Sequence, residues 1–277
     1  MVRLAIALAI FLSAPPRRIV STAPSITEIL YALGLGDRVA GVTTYCRYPA
    51  EAASKPKIGD YLRPNQELIL ALRPDLIIME RTGVRQATSL AALGIPVLEV
   101  DDGTLAGIYD AIERIARAAG VSERAAQLKA QMRRELEEVA VRARGLSKPR
   151  TMVVLGRTPG RPEGLVVAGR GSYLDELIGL AGGRNIFADA VSSYGKVPLE
   201  AVLARDPEVI LEMGEMAEAG SLSEDRQRAV LALWARQHAI SAVRRGRVFV
   251  LASELFVVPG PRVGQAARAL FEMIHGR

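Results

Sequence analysis

The chain has 277 residues, of which 49% are hydrophobic and 24% are charged, and it carries a formal net charge of +6. This composition excludes a disordered chain, and the length is sufficient for two domains of ordinary size. The basic residues are interspersed with acidic ones and form no block. The positive charge therefore indicates a solvated surface, and we expect no nucleic-acid partner.

The N-terminus has the pattern of an export signal. A basic residue, Arg3, precedes an apolar run over residues 4–12, and small residues follow that run. The run is too short to span a bilayer as a helix. We therefore assign residues 1–16 to a signal segment and expect export to the periplasm. The alternative is a buried first strand, which would leave a cytoplasmic nucleic-acid-binding protein open.

After this segment, short apolar runs alternate with helical patterns. Residues 17–120 are assigned to an N-terminal lobe, with strands predicted at 18–21, 38–42, 75–79 and 96–100. Helices are predicted at 25–33, 64–72, 86–93 and 104–119. Ser25, with Glu28 three residues later, has the spacing of a capping box, so Ser25 is expected to cap the first helix.

A longer helical pattern follows at residues 122–144 and contains no glycine or proline. We assign residues 121–146 to a helix that links two lobes and residues 147–277 to a C-terminal lobe. In that lobe, strands are predicted at 151–155 and 247–251 and helices at 172–180 and 262–274. Strands separated by helices predict parallel pairing.

One sequence unit occurs twice, about half a chain apart. Glu67 precedes Pro74 by seven residues and Glu200 precedes Pro207 by seven, and an acidic residue and an apolar run follow each proline. The predicted fold is therefore α/β with two lobes, each a central, mostly parallel sheet flanked by helices, joined by one long helix. A ligand is expected to bind in the cleft between the lobes.

A second match lies in the first helix of each lobe. Glu28 precedes Gly34 by six residues, and Glu176 precedes Gly182 by six. The repeat thus includes more of each lobe than the Glu–Pro unit alone.

The sequence offers no catalytic constellation. Its two histidines, His238 and His275, are more typical of packing or surface positions than of catalysis, and Cys46 is the only cysteine, which excludes a disulfide within the chain. There is no phosphate-binding loop and no group of residues with metal-ligand spacing. We therefore predict that the protein is not an enzyme and has no catalytic residues, metal or cofactor.

Polar and aromatic residues follow several predicted strands or precede predicted helices. In open α/β sheets, ligands bind beyond the carboxyl ends of the strands. The candidate ligand-binding residues at these positions are Tyr45, Cys46, Glu80, Arg81, Arg170, Glu254 and Phe256.

Three of these candidates have explicit alternatives. Cys46 is either a ligand to a cobalt or iron centre or a small buried thiol without a ligand role, and the second interpretation is favoured. Arg81 and Arg170 either meet propionates or a phosphate on the ligand or are surface charges.

The segments at residues 18–28, 41–49 and 65–76 carry a family resemblance. They are similar to the helical-backbone class of periplasmic substrate-binding proteins, and most of all to its vitamin B12-binding members. The resemblance covers nearly all of the chain after the signal segment and includes the long linking helix. It implies a monomer that captures a corrinoid, above all cobalamin, and delivers it to the permease dimer of an ABC importer in the inner membrane. The rigid linking helix implies small lobe motion on binding.

The resemblance also implies roles for individual residues. Tyr45 matches a pocket tyrosine, and Glu254 matches an acidic pocket residue. Tyr61 and Tyr194 stand where the vitamin B12-binding members have tryptophans. Large flat side chains at these positions suit a large flat macrocycle.

Three positions depart from the family pattern. Glu80 stands at another tryptophan position, Val166 at a phenylalanine position and Val258 at the position of an arginine. The pocket is therefore less aromatic than the family pattern, and haem or a ferric siderophore is an alternative ligand. An enzyme that acts on a metal chelate is a more distant alternative.

By the same resemblance, Glu67 and Glu200 are the carboxylates at the tips of the lobes that dock onto arginines of the permease. Such charged pairs mainly fix orientation and guide encounter. The alternative is that both are exposed glutamates favoured by the dipole at the start of a helix.

Overall fold

The computed structural model describes residues 14–61, 63–81, 90, 94–214 and 222–276. The strands of the N-terminal lobe are β1 (Ile19–Ser21), β2 (Val39–Val42), β3 (Leu76–Glu80) and β4 (Val97–Val100). Its helices are α1 (Pro24–Ala32), α2 (Ala50–Ala53), α3 (Gln66–Ala71) and α4 (Leu105–Ala118). The strands pair in the order β2–β1–β3–β4, and all three pairings are parallel. The predicted helix at 86–93 lies outside the described residues, apart from residue 90.

The helix α5 (Ser122–Ala143) confirms the long helix predicted between the lobes. The strands that follow are β5 (Arg150–Gly156), β6 (Leu165–Ala168), β7 (Arg184–Asn185), β8 (Tyr194–Val197), β9 (Val209–Glu212) and β10 (Val248–Val250). The helices are α6 (Tyr173–Leu180), α7 (Leu199–Arg205), α8 (Glu224–Trp234), α9 (Ser241–Arg244) and α10 (Val263–His275). A short 3₁₀ helix, Glu254–Phe256, lies between β10 and α10.

The second sheet is mixed rather than parallel throughout. Its strand order is β10–β9–β5–β6–β8, and β7 also pairs with β5. The pairings of β5 with β9 and of β9 with β10 are parallel, but β6 is antiparallel to both β5 and β8. The α/β fold with two lobes is thus confirmed, and β6, β7 and β8 are strands that the sequence did not predict.

The expected cap of the first helix is wrong. The helix α1 begins at Pro24, and the residue before it, Ala23, makes no side-chain cap. Proline suits the first helical position because its φ is fixed and its missing N–H would have no helical partner there. Ser25 and Glu28 are therefore inside the helix, and their side chains bond to other parts of the molecule.

The repeat is preserved in backbone geometry. The residue before each proline of the repeated unit has a left-handed conformation, with φ 45° at Arg73 and 41° at Asp206. A residue that precedes proline is disfavoured in the right-handed helical region, so each helix must end there. A residue other than glycine in the left-handed conformation is unfavourable by on the order of 1 kcal/mol. Surrounding contacts must therefore stabilise this turn in both lobes.

The acidic residue after each proline provides such a contact. Asp75 accepts a hydrogen bond of 2.9 Å from the backbone N–H of Arg18. Glu208 accepts one of 3.0 Å from the backbone N–H of Arg150. In both lobes, the carboxylate therefore ties the turn to the beginning of the neighbouring strand, β1 or β5.

One apolar core extends beneath both lobes. Buried side chains from α1, α4, α5, α6 and α10 belong to a single contiguous cluster. The terminal helix α10 packs against both α5 and α6. Examples of the buried residues are Leu30, Ile112, Leu136, Leu177 and Leu270. Because the core is shared, movement of one lobe against the other would disturb packed apolar contacts.

Two glutamates make polar contacts across the lobes in opposite directions. Glu28 of α1 forms a buried ion pair with Arg262, which immediately precedes α10. The guanidinium of Arg262 also lies 3.9 Å from the centre of the Tyr48 ring. Glu176 of α6 accepts a hydrogen bond of 2.6 Å from the N–H of Leu105, the first residue of α4. These are the two glutamates that the sequence matches by their spacing to a glycine.

Replacing Glu28 with alanine tests how much the ion pair between Glu28 and Arg262 contributes to stability. The change leaves the guanidinium of Arg262 partly buried without its carboxylate, so we expect the free energy of unfolding to fall by about 3 kcal/mol. The measurement is chemical denaturation followed by circular dichroism.

A matched control is Glu272→Ala. Glu272 lies on the terminal helix α10 and forms an exposed ion pair with Arg142 of α5, which this change removes. That loss should be at most about 1 kcal/mol, because exposed ion pairs contribute little. Equal losses in the two variants would show that the Glu28 contact has no special role.

Candidate functional site: the cleft between the lobes

The cleft is bounded by loops at the carboxyl ends of strands. In the first lobe, β3 ends at Glu80, which lies opposite Val100 at the end of the neighbouring strand β4. In the second lobe, Tyr194 begins β8 beside the last residue of β6. The backbone N–H of Tyr173 donates to the carbonyl of Gly103 across the lobes, at 2.8 Å.

Glu80 is held by hydroxyl groups on both of its oxygens. Ser25 Oγ lies 3.2 Å from Glu80 Oε1 and donates to it, and the Tyr61 hydroxyl donates to Oε2. The structure thus brings together Tyr61 and Glu80, two of the residues predicted to bind ligand. Ser25, which lies inside α1, joins them through its hydroxyl group.

Asp102 lies beside this group, two residues after the end of β4. It is 7% exposed, and within the described residues its Oδ2 has no hydrogen-bond partner. Burial and the nearby carboxylate of Glu80 together raise the pKa of Asp102 to about 7, although a hydrogen bond from Ser25 opposes the shift. At neutral pH, Asp102 is therefore protonated for a large part of the time. Asp102 was not among the residues predicted to bind ligand, although its place two residues after a predicted strand was a usable signal.

Tyr194 contributes from the opposite lobe. The side chain is 39% exposed. Desolvation raises the pKa of Tyr194, the charge on Asp102 raises it further, and a hydrogen bond with Ser172 lowers it. Asp102 of the first lobe and Tyr194 of the second therefore lie close enough to interact electrostatically.

The arginines near these groups already have partners. Arg47 lies 3.3 Å from Glu254 of the second lobe, and Arg81 lies 3.6 Å from Asp101. Arg170 donates from Nε to the carbonyl of Ala188 at 3.0 Å. Burial raises the pKa of Glu254 even though Arg47 opposes the shift.

Two predicted ligand-binding residues lie in the core instead of on the cleft. Cys46 has no exposed surface, and its Sγ lies 3.1 Å from Thr27 Oγ1 and 3.2 Å from Thr43 Oγ1. Burial raises the pKa of the Cys46 thiol, which keeps it neutral and favours the alternative of a thiol without a ligand role. Phe256 is also buried, and its carbonyl accepts a hydrogen bond of 2.6 Å from the Tyr173 hydroxyl. Tyr45, by contrast, is 48% exposed in the turn after β2.

Glu67 and Glu200 occupy equivalent exposed positions, each in the first turn of its helix, α3 or α7. Exposed leucines lie on the same helices, namely Leu68 and Leu70 on α3 and Leu203 on α7. Each lobe therefore presents an exposed carboxylate on a helix that also carries exposed apolar side chains.

The described residues contain no group of three or more histidine, cysteine, aspartate or glutamate residues suited to hold a metal ion. His275 contacts the carbonyl of Ala181 at 2.9 Å, and His238 is exposed beyond α8. Of the helices in the part of the chain that the structure describes, none has the length and apolar character needed to cross a membrane.

The model of the periplasmic binding protein family matches residues 19–255, which is most of the chain. This chain belongs to the periplasmic binding protein family. It is a solute-binding protein of the class that contains vitamin B12- and haem-binding members.

Three relatives illustrate the range of this family. An uncharacterized ABC transporter substrate-binding lipoprotein of Bacillus subtilis (strain 168) is 30% identical over 94% of this chain and 80% of its own length. The crystal structure of the periplasmic vitamin B12 binding protein of Vibrio cholerae is 29% identical, with a TM-score of 0.77 over 94% of this chain and 97% of that one. The periplasmic heme-binding protein of Roseiflexus sp. RS-1 is also 29% identical, with a TM-score of 0.79 over 94% and 98%. These relatives are named for binding and not for catalysis.

Proposed function

We propose that this protein captures a corrinoid, with cobalamin as the leading ligand, in the cleft between its lobes. It is exported to the periplasm, acts as a monomer and presents the ligand to the permease of an ABC importer in the inner membrane. The observation that carries the proposal is that tyrosines from both lobes meet at one pair of carboxyl groups, with Tyr61 bonded to Glu80 and Tyr194 close to the buried Asp102.

The tyrosines support a flat macrocyclic ligand. Tyr45 and Tyr194 are substantially exposed although each has a large apolar ring. Tyrosine has few rotatable bonds, so it gives a large contact area at a small cost in side-chain entropy. A corrin ring presents broad faces against which such rings can pack. The vitamin B12-binding relative supports the same ligand class.

Haem is the second candidate ligand, because a haem-binding relative resembles this chain as closely in sequence and in structure. The exposed phenol of Tyr45 is the observation in this cleft that favours it. A tyrosine oxygen is one of the known protein ligands of haem iron. A ferric siderophore is a third ligand of the same class.

Calorimetric titration with cyanocobalamin, haem and a ferric siderophore tests the proposed ligand. We expect one molecule of cyanocobalamin to bind per chain with a dissociation constant of about 1 μM or lower, which corresponds to about 8 kcal/mol. Haem and the siderophore should bind at least about tenfold more weakly. Absence of cyanocobalamin binding, or tighter binding of haem, would exclude cobalamin as the principal ligand.

Variants of two tyrosines locate the binding. Tyr194→Ala removes an aromatic side chain from the cleft and should weaken cyanocobalamin binding about tenfold, or about 1.4 kcal/mol. The matched control is Tyr109→Ala, since Tyr109 of α4 lies against Arg133 of α5. The control variant should retain the wild-type affinity.

Docking on the permease is the second part of the proposed function. Glu67 and Glu200 are one exposed carboxylate per lobe, and adjacent exposed leucines make each position suitable for a protein partner. The permease of an ABC importer would supply the opposing basic residues. The relative from Bacillus subtilis is named as an ABC transporter substrate-binding protein, which supports a partner of this kind.

The double variant Glu67→Ala, Glu200→Ala should bind cyanocobalamin with unchanged affinity. Its delivery of ligand to the importer reconstituted in liposomes should fall at least about tenfold, because paired charges at an interface are lost. The matched control replaces Glu123 and Glu224, which also lie in the first turns of exposed helices. Wild-type transport by the first double variant would exclude the docking role.

A further inference from the structure

We propose that Glu80 and Asp102 form a subsite that selects a macrocycle whose edge carries carboxamide groups and rejects one whose edge carries carboxylates. This inference rests on the proposed function, because it concerns the same cleft and names the feature of the ligand that the cleft recognises. Glu80 is the last residue of β3, and Asp102 lies two residues after the neighbouring strand β4, close both to Glu80 and to Tyr194 of the second lobe.

The hydrogen bonds within the subsite are unequally distributed. Glu80 accepts from Ser25 and from Tyr61, so both of its oxygens have a donor. Asp102 is buried, and its Oδ2 lacks a donor among the described residues. A buried acceptor without a donor is unfavourable by about 1–3 kcal/mol. A donor on the ligand would remove that penalty.

The charges around the subsite favour a neutral donor over an anion. Glu80 and Asp102 place two carboxyl groups close together, so this wall of the cleft is acidic. Arg47 and Arg81 are each near a carboxylate of their own, Glu254 and Asp101. A ligand carboxylate at Asp102 would therefore meet like charge in a partly dehydrated site, where repulsion is stronger than in water.

A carboxamide fits both members of the pair. Its NH₂ group donates to a carboxylate oxygen, and its carbonyl accepts from a carboxylic acid. Two neighbouring carboxyl groups that share a proton present one acceptor and one donor. The edge of the corrin ring of cobalamin carries carboxamides, whereas the edge of haem carries propionates. The pair therefore favours the corrinoid through the chemistry of its edge.

Two corrinoids with one ring system provide the test. Dicyanocobinamide carries carboxamide side chains, and dicyanocobyrinic acid carries carboxylates at the corresponding positions. We expect the wild-type protein to bind the amide form at least about tenfold more tightly at pH 7.5, measured by calorimetry. In the double variant Glu80→Gln, Asp102→Asn, this preference should shrink at least about fivefold. The neutral side-chain amides of the variant can bond to a ligand carboxylate as readily as to a ligand carboxamide.

The matched control is Glu99→Gln, which neutralises a carboxylate earlier on β4 and should leave the preference unchanged. Should the double variant fail to fold, the single variant Asp102→Asn gives the same comparison with a smaller perturbation. Equal binding of both corrinoids by the wild type, or an unchanged preference in the variants, overturns the subsite while the proposed function stands. Absence of binding to either corrinoid overturns the proposed function itself.

Discussion

The rest of the structure depends on the contacts that hold the two lobes at one relative orientation. Glu28 reaches from α1 of the first lobe to Arg262 of the second, and Glu176 reaches from α6 of the second lobe to the beginning of α4 in the first. The two glutamates occupy matching positions in the repeat, so one duplicated residue provides contacts in both directions. An apolar core that belongs to both lobes lies beneath these contacts. Together with the helix α5, they indicate a cleft whose shape exists before a ligand binds.

Because the shape of the cleft is fixed, polar groups around it are already buried before a ligand binds. Burial raises the pKa of Glu28, the ion pair with Arg262 opposes that rise, and Glu80 accepts hydrogen bonds from two hydroxyl groups. Asp102 has less complete compensation, because its Oδ2 has no hydrogen-bond partner within the described part of the chain. The lobes share a frame, yet the residues around the cleft differ between them. The repeated strands and helices therefore determine where a ligand binds, and the residues that differ between the lobes determine which ligand is bound.

Many helices, strands and turns could be predicted from the sequence, because these elements depend mainly on residues that are near one another in the chain. The strands β1 to β4, the helix α5 and the repeated turn follow from periodicity, glycine and proline, and the structure confirms them. The strands β6 and β8 were not predicted, since short strands owe their pairing to distant residues. The partners of Ser25 and Glu28 could not be predicted for the same reason, because they lie 55 and 234 residues away. Burial also depends on the whole fold, which is why Phe256 was predicted to bind ligand and lies in the core, and why the sequence left two roles open for the buried Cys46.

The distance between the lobes in the protein without ligand tests most directly whether the cleft is formed before a ligand binds. Spin labels at Arg117→Cys on α4 and Arg228→Cys on α8 report it by pulsed electron resonance, because both positions are exposed and the native Cys46 is buried. The account predicts one narrow distance distribution that shifts by no more than about 2 Å when cyanocobalamin is added. A broad or two-state distribution without ligand, or a large closure on binding, would contradict a cleft that is formed in advance.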